Sequence, residues 1–207
     1  MFNVEKATND CIQWIRDWRE ENGPGCNLIV GISGGVDSLV AAELCVEAVG
    51  ADKVLGVIMP NYKQDDIDVA YDICQHVLGI DYLTINVGSA YDDIIDQIDL
   101  AIDVSDQTLI NLAPRLRMAT LYGVSQSHNG RVVNTCNLSE DYIGYSTRYG
   151  DSAGDFAPLA QFTKSEVKRI GYYLELPKKY VEKTPSDGLC GKSDEDNFGF
   201  TYAVLDK

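Results

Sequence analysis

The chain has 207 residues, of which 45% are hydrophobic and 24% charged, and it carries a formal net charge of -15. This composition is typical of one globular domain, which we expect to span residues 1–207. The acidic balance argues against nucleic acid or an anionic membrane as a partner. No apolar run approaches the roughly 20 residues that cross a bilayer, and no secretory signal is visible, so we expect a cytoplasmic protein. Its six cysteines form no C-x-x-C pair, which favours reduced thiols.

The first part of the chain predicts a helix, a strand and a second helix. Residues 3–21 place apolar side chains at helical spacing before Gly23-Pro24-Gly25 ends the helix. Leu28–Ile32 is a short β-branched run typical of a buried strand. Ser33-Gly34-Gly35 then lead into a predicted helix over Val36–Val49. The unpaired N–H groups and the dipole at such a helix start favour a bound anion.

The residues between this strand and helix predict a phosphate-binding loop. The glycines allow close approach of the backbone to phosphate oxygens, and Ser33 and Ser38 add hydroxyl donors. Asp37 is suited to hold a magnesium ion. The loop lacks the Gly-Lys-Ser/Thr of a Walker loop and the spacing of a dinucleotide fingerprint. Ser33-Gly34-Gly35-Val36-Asp37-Ser38 instead resembles the pyrophosphate loop of ATP pyrophosphatases, which cleave ATP between the α and β phosphates.

The rest of the chain alternates predicted strands and helices. This order favours an α/β fold in which a doubly wound parallel sheet of about five strands is flanked by helices. Pro114 either begins a new helix or kinks one long helix. The further strands are predicted over 53–59, 81–87, 131–135 and 156–160. The further helices are predicted over 64–78, 89–104, 106–127, 163–174, from Pro177, and over 198–207.

A polar, glycine-rich stretch follows the predicted strand 131–135. Ligands of doubly wound sheets bind at the carboxyl ends of the strands, so Thr135 and Glu140 should lie beside the phosphate loop. Glu140 is then able to share a magnesium ion with Asp37. Two carboxylates together with phosphate oxygens suit magnesium, which takes few protein ligands.

Four segments together resemble the ammonia-dependent NAD synthetases, over nearly the whole chain from about residue 10. They are the 33–38 loop, the run Asn111-Leu112-Ala113-Pro114-Arg115-Leu116-Arg117-Met118, Glu140, and Tyr145-Ser146-Thr147-Arg148-Tyr149-Gly150-Asp151. The resemblance implies a homodimer with the adenine nucleotide alpha hydrolase-like fold. It also implies a ligase that joins ammonia to deamido-NAD (nicotinic acid adenine dinucleotide). ATP is consumed through an acyl-adenylate, and NAD, AMP and pyrophosphate are released.

The same resemblance implies a role for each matching residue. Asp37 and Glu140 would bind Mg²⁺ and, with Lys164, carry the catalysis. One of Arg115 and Arg117 would face deamido-NAD together with Arg148, which replaces a lysine of the family, and Asp155. The implied ATP site comprises Gly31, Ile32, Ser33, Gly34, Gly35, Val36, Asp37, Ser38, Thr135, Lys164 and Ser186.

Several features depart from the family pattern or leave other readings open. Pro114 is uncommon at its position, Ile58 stands where some members have an arginine, and the family's C-terminal His-Lys-Arg tail has no counterpart here.

We expect no glutamine amidase domain, so free ammonia or a separate donor is implied. Residues 185–197 are a candidate lid. The alternatives are another ATP-pyrophosphatase amidotransferase, a tRNA-modifying ligase, or a non-catalytic nucleotide-sensing domain.

Overall fold

A parallel sheet of four strands organises the fold, in the order β3-β2-β1-β4. The computed structural model describes residues 2–64, 66–183, 195–196 and 199–207. The strands are β1 (Asn27–Gly31), β2 (Val54–Ile58), β3 (Asp81–Thr84) and β4 (Gly130–Val133). The predicted α/β fold with a parallel sheet is therefore confirmed.

The predicted count of about five strands is wrong, because the candidate strand at 156–160 is reduced to one bridge. Phe156 forms a parallel bridge with Val133, and its carbonyl accepts a hydrogen bond from the Asn134 N–H at 2.8 Å. Pro158 has no N–H to donate to a sheet ladder, so regular pairing does not continue past this point.

Nine helices are assigned in the described part of the chain, and most of them match a predicted helix. The helix at α5 is continuous through Pro114, and α3 passes into a π-helical turn over Ile73–Leu78. The bounds are α1 (Val4–Asn22), α2 (Val36–Val49), α3 (Ile67–Asp72), α4 (Gly88–Asp99), α5 (Asp106–Ser127), α6 (Leu138–Ile143), α7 (Lys164–Tyr173), α8 (Lys178–Val181) and α9 (Tyr202–Leu205). A short 3₁₀ turn, Ala51–Lys53, precedes β2.

Helices cover both faces of the sheet and enclose two apolar cores. On one face α2 lies between the sheet and the outer helices α1 and α7, so its side chains are buried on nearly every side. On the other face α5 packs against β1 and β4. The smaller core on that side consists of Ile29, Leu55, Val57, Met59, Val87, Met118, Leu121, Val124 and Val132. Burial on both faces explains why the central strands are continuously apolar.

The order of the strands places a crevice beside β1. From β1 the chain proceeds outward to β2 and β3 on one side, and β4 pairs with β1 on the other side. The strand order therefore reverses between β1 and β4, where doubly wound sheets bind their ligands. The segments that leave the carboxyl ends of these two strands, 32–36 and 134–137, flank this crevice.

Candidate active site

The side chains of Ser33 and Ser38 form hydrogen bonds within the phosphate loop. The Ser33 N–H donates to Ser38 Oγ at 3.3 Å, and the two hydroxyl oxygens lie 3.2 Å apart. Ser38 Oγ in turn donates to the Gly35 carbonyl at 3.0 Å. Gly34 has a φ of 85°, which side-chain-bearing residues rarely adopt, so the turn depends on a glycine at this position.

Two carboxylates from separate helix starts converge on one ammonium group. Asp37 lies in the first turn of α2, and Glu140 lies in the first turn of α6. Lys164 Nζ forms an ion pair with Asp37 Oδ2 and another, at 3.1 Å, with Glu140 Oε1. The structure therefore brings together the three residues that the sequence suggested as catalytic.

Local capping chemistry fixes the direction of each of these side chains. Asn137 caps α6 in a capping box with Glu140, and its Nδ2 also donates to Asp37 Oδ1 at 3.0 Å. Thr163 and Glu166 form a second capping box at the start of α7, which the sequence predicted. Because α7 begins at Lys164, this cap places the lysine at the crevice.

Burial and charge together shift the proton affinities of this cluster. Lys164 is 2% exposed; burial alone would lower its pKa, but the adjacent Asp37 and Glu140 raise it above its ordinary value. Burial and the neighbouring Asp37 raise the pKa of Glu140 to about 7, although Lys164 opposes that rise. The three groups carry two negative charges and one positive charge, so the cluster retains a net charge of one unit negative when fully ionised.

The carboxylate pair fits a magnesium ion that also binds substrate phosphates. Asp37 and Glu140 already converge on a single cation, the Lys164 ammonium. In the described ranges no group of three or more His, Cys, Asp or Glu residues is arranged for a metal ion. Magnesium needs no such group, because one or two carboxylates with phosphate oxygens and water complete its coordination.

The two segments implied to face deamido-NAD pack against each other. Thr147 Oγ1 donates to Asn111 Oδ1 at 2.9 Å, and Arg115 Nε donates to the Arg148 carbonyl at 3.2 Å. A side chain at Gly150 would lie 3.0 Å from Pro114 Cβ. The close approach of Pro114 therefore leaves no room for a side chain at position 150.

The remaining residues of the predicted dinucleotide site occupy different environments. Arg117 is half-buried and donates from Nε to the Met59 carbonyl at 2.9 Å, and burial lowers the pKa of its guanidinium. Arg115 is exposed and is therefore the more accessible of the two candidates. Asp155 Oδ2 accepts from the Val132 N–H at 2.7 Å, so this carboxylate binds the sheet backbone. Thr135 is half-buried at the crevice, just after β4.

Three residues at the site were not identified from the sequence. Asn137 carried no signal, because no helix is predicted after it. Gln64 Nε2 donates to the Ser33 carbonyl at 3.0 Å, and Lys183 Nζ donates to the Gly34 carbonyl at 3.1 Å. Both lie far from the loop along the chain, so no local pattern indicates these contacts. The predicted ATP ligand Ser186 and most of the candidate lid at 185–197 lie outside the described residues.

The loop, the acidic pair and the sheet together define a class of protein. A glycine-bearing loop after β1, an acidic pair beside it and a doubly wound sheet define a nucleotide-binding α/β protein of the ATP-pyrophosphatase type. A family model described as NAD synthase matches residues 7–207. The chain belongs to the NAD synthase family, and the family resemblance found in the sequence is confirmed.

Individual relatives agree with this assignment. The chain is 38% identical over 207 residues to the NH(3)-dependent NAD(+) synthetase of Pyrococcus furiosus, covering 100% of this chain and 77% of the relative. It is 41% identical over 207 residues to the protein of that name from Thermococcus kodakarensis, covering 100% and 80%. The solved NMN synthetase of Francisella tularensis superposes with a TM-score of 0.89 at 34% identity, covering 100% of this chain and 85% of that chain.

Proposed function

We propose that this protein is an ammonia-dependent NAD synthetase, a ligase that amidates deamido-NAD at the expense of ATP. The observation that carries the proposal is the convergence of Asp37, Glu140 and Lys164 beside a phosphate loop. Relatives named NH(3)-dependent NAD(+) synthetase at 38% and 41% identity supply the substrate class. A non-catalytic nucleotide-sensing domain would not need a half-buried acidic pair at this place.

The chemistry follows from what makes a carboxylate a poor acyl donor. Its leaving group would be oxide, and adenylation replaces that group with AMP. The nicotinate carboxylate oxygen forms a bond to the α-phosphorus while the bond to the bridging oxygen breaks, and the electron pair leaves with pyrophosphate. Ammonia then displaces AMP from the acyl-adenylate. Neither step requires a protein nucleophile, so the protein contributes positioning and charge stabilisation.

Specific residues of this chain supply these contributions. The N–H groups at the start of α2 and the hydroxyls of Ser33 and Ser38 bind the phosphates. Lys164 places a positive charge beside the carboxylate pair, where it stabilises charge that develops on the α-phosphate. Asp37 and Glu140 are the residues that would hold Mg²⁺. A bound Mg²⁺ would supply Lewis-acid stabilisation of charge on phosphoryl oxygens.

Isotope transfer tests this function directly. Deamido-NAD labelled with ¹⁸O in its nicotinate carboxylate is incubated with the protein, ATP, Mg²⁺ and ammonium at mildly alkaline pH. We expect NAD, AMP and pyrophosphate in equal amounts, with one labelled oxygen in each AMP. ADP as the product, or AMP without label, would exclude adenylation of the carboxylate. Products formed only when tRNA is added would favour the tRNA-modifying alternative.

The nicotinate carboxylate of the substrate is attached to either a dinucleotide or a mononucleotide. One close structural relative is named an NMN synthetase, whose acid precursor would be nicotinic acid mononucleotide. Both acids present the same nicotinate carboxylate to the α-phosphate. The isotope assay is therefore run in parallel with each acid. We expect the higher kcat/KM with deamido-NAD, because the NH(3)-dependent NAD(+) synthetases of Thermococcus kodakarensis and Pyrococcus furiosus are 41% and 38% identical to this chain, against 34% for the NMN synthetase. A higher kcat/KM with the mononucleotide would reassign the substrate and leave the chemistry unchanged.

The surface of α4 and α5 supports the homodimer that the family resemblance implies. Five large apolar side chains are exposed there, which we call the α4–α5 patch: Ile94, Leu100, Ile102, Leu109 and Ile110. Tyr91 Oη donates to the Leu109 carbonyl at 2.8 Å and joins the two helices. Several large exposed apolar side chains on two joined helices and the segment between them favour an interaction site. We propose that a second copy of the chain covers the patch.

Light scattering after size-exclusion chromatography tests the dimer. We expect a dimeric mass for the wild-type chain and a monomeric mass for Leu100→Asp, because Leu100 is 81% exposed and a buried charge opposes association. Val204→Asp is the matched control, since Val204 is 60% exposed but lies outside the patch. A dimer that survives Leu100→Asp and Ile110→Asp together would place the interface elsewhere.

We also propose a cytoplasmic location. The five cysteines within the described residues are free and buried, as expected of a protein kept in a reducing compartment. Among the described helices, none combines the length and apolar character that a bilayer crossing requires. The net charge of -15 is also unfavourable for binding nucleic acid or anionic membranes.

A further inference from the structure

A second ammonium group, that of Lys183, lies at the phosphate loop. Lys183 Nζ donates to the Gly34 carbonyl at 3.1 Å and forms an ion pair with Asp66 Oδ2. Its backbone is well anchored, since Val181, two residues earlier in α8, is completely buried. The position of this lysine is therefore set by the protein core, whereas its ammonium group reaches the loop.

Side chains around Lys183 bind the carbonyl groups of the phosphate loop. Gln64 Nε2 donates to the Ser33 carbonyl and also contacts Asp66 Oδ1, at 3.0 and 3.2 Å. The carbonyl groups of Ser33 and Gly34 thus both bind donors from this side. A Cβ placed on Gly34 would lie 3.5 Å from Lys183 Nζ, so the ammonium group is adjacent to the turn that is suited to phosphate.

Lys183 and Lys164 differ in how firmly their charges are neutralised. Lys164 contacts two carboxylates, and its side chain is 3% exposed. Among the described residues Lys183 contacts a single carboxylate, and the side chains of Lys183 and Asp66 are 29% and 45% exposed. A partly exposed ion pair of this kind contributes little stability. Its ammonium group is therefore free to change partner when a more highly charged anion binds at the loop.

We propose that Lys183 is a phosphate-binding residue for the β and γ phosphates of ATP and for the pyrophosphate that leaves. On binding, its ammonium group exchanges the Asp66 carboxylate for phosphate oxygens. When the bond between the α-phosphorus and the bridging oxygen breaks, the electron pair moves onto pyrophosphate, and Lys183 stabilises that charge. Asp66 holds the ammonium group at the loop before ATP arrives. This inference rests on the proposed function, in which pyrophosphate is the leaving group.

Calorimetry with Mg²⁺ and pyrophosphate tests the proposal without turnover. We expect Lys183→Met to weaken pyrophosphate binding about 10- to 100-fold, the usual effect of losing a hydrogen bond to a charged group. AMP binding should change less than about twofold, because AMP has no β or γ phosphate. Lys183→Arg should retain binding within several-fold. Lys179→Met is the matched control, since Lys179 lies on α8, four residues before Lys183, and contacts Asp72 with a side chain 68% exposed.

Asp66→Asn distinguishes a phosphate-binding role of Lys183 from a purely structural role. If Lys183 binds phosphate, removing its carboxylate partner leaves pyrophosphate binding unchanged or tighter. If Lys183 only ties Asp66 to the loop, Asp66→Asn and Lys183→Met should weaken pyrophosphate and AMP binding alike, and the proposal is wrong. Wild-type pyrophosphate affinity in Lys183→Met would also overturn it. The wild-type isotope assay reports separately on the proposed function. If Lys183→Met does not fold, Lys183→Arg and Asp66→Asn still test the proposal.

Discussion

We expect Asp37→Asn and Glu140→Gln each to lower the rate of AMP formation by about 10²–10³, the usual effect of losing one preorganised charge contact to a transition state. Each variant keeps its shape and its hydrogen-bonding oxygen but loses the negative charge that faces the cation. The measurement is the rate of labelled AMP release from ATP at saturating deamido-NAD and ammonium.

Both variants should remain folded, because Lys164 retains one carboxylate partner in each. Each substitution removes one negative charge, so the net charge of the cluster changes from one unit negative to zero. The Lys164 ammonium group still has a carboxylate partner, so its charge is not left unpaired. Asp141→Asn is the matched control, since Asp141 adjoins Glu140 but is exposed. Wild-type rates in either Asp37→Asn or Glu140→Gln would remove the carboxylate pair from the mechanism.

The second large effect concerns stability. Lys164→Met leaves two carboxylates close together in a nearly buried site, and removing one partner of such a cluster costs about 3–5 kcal/mol. We expect this loss in the free energy of unfolding at pH 8.5, measured by urea denaturation. Lys178→Met is the control, because the Lys178 side chain is 73% exposed.

The loss should also depend on pH, in a direction set by Glu140. Its pKa of about 7 lies above the ordinary value of 4.5, so between these values the folded state binds more protons and stability falls as pH rises. Removing the ammonium group raises this pKa further, which extends the fall above pH 7. Lys164→Met should therefore be much less destabilised at pH 5 than at pH 8.5. Equal losses at both pH values would show that the lysine acts through packing alone.

Local patterns in the sequence were sufficient to predict the strand, loop and helix that form the phosphate-binding part of the site. The first strand, the turn at Gly34 and the helix from Val36 follow from short-range apolar patterning and glycine chemistry. The proximity of Glu140 to Asp37 follows from one topological rule, because both residues follow the carboxyl ends of adjacent parallel strands. The rule therefore predicts that two residues 103 positions apart in the sequence lie close together in space, and it uses no information about that particular pair.

Other parts of the site depend on tertiary contacts that no local pattern reports. Lys183 reaches Gly34 across the fold, and the sequence around it offers only a lysine after a short helix. Asp155 was predicted to face substrate from the resemblance alone, yet one of its oxygens accepts the Val132 N–H. The fifth strand was expected from apolar residues at 156–160, but Pro158 prevents a regular ladder there.

The most direct measurement of the central claim is the position of a bound divalent ion. Crystals are grown with Mn²⁺ and a non-hydrolysable ATP analogue, and the manganese is located by its anomalous scattering. We predict one peak within coordination distance of carboxylate oxygens from both Asp37 and Glu140 and of a phosphate oxygen at the 33–38 loop. A phosphate-bound manganese that contacts neither carboxylate, or a triphosphate bound away from the loop, would contradict the account.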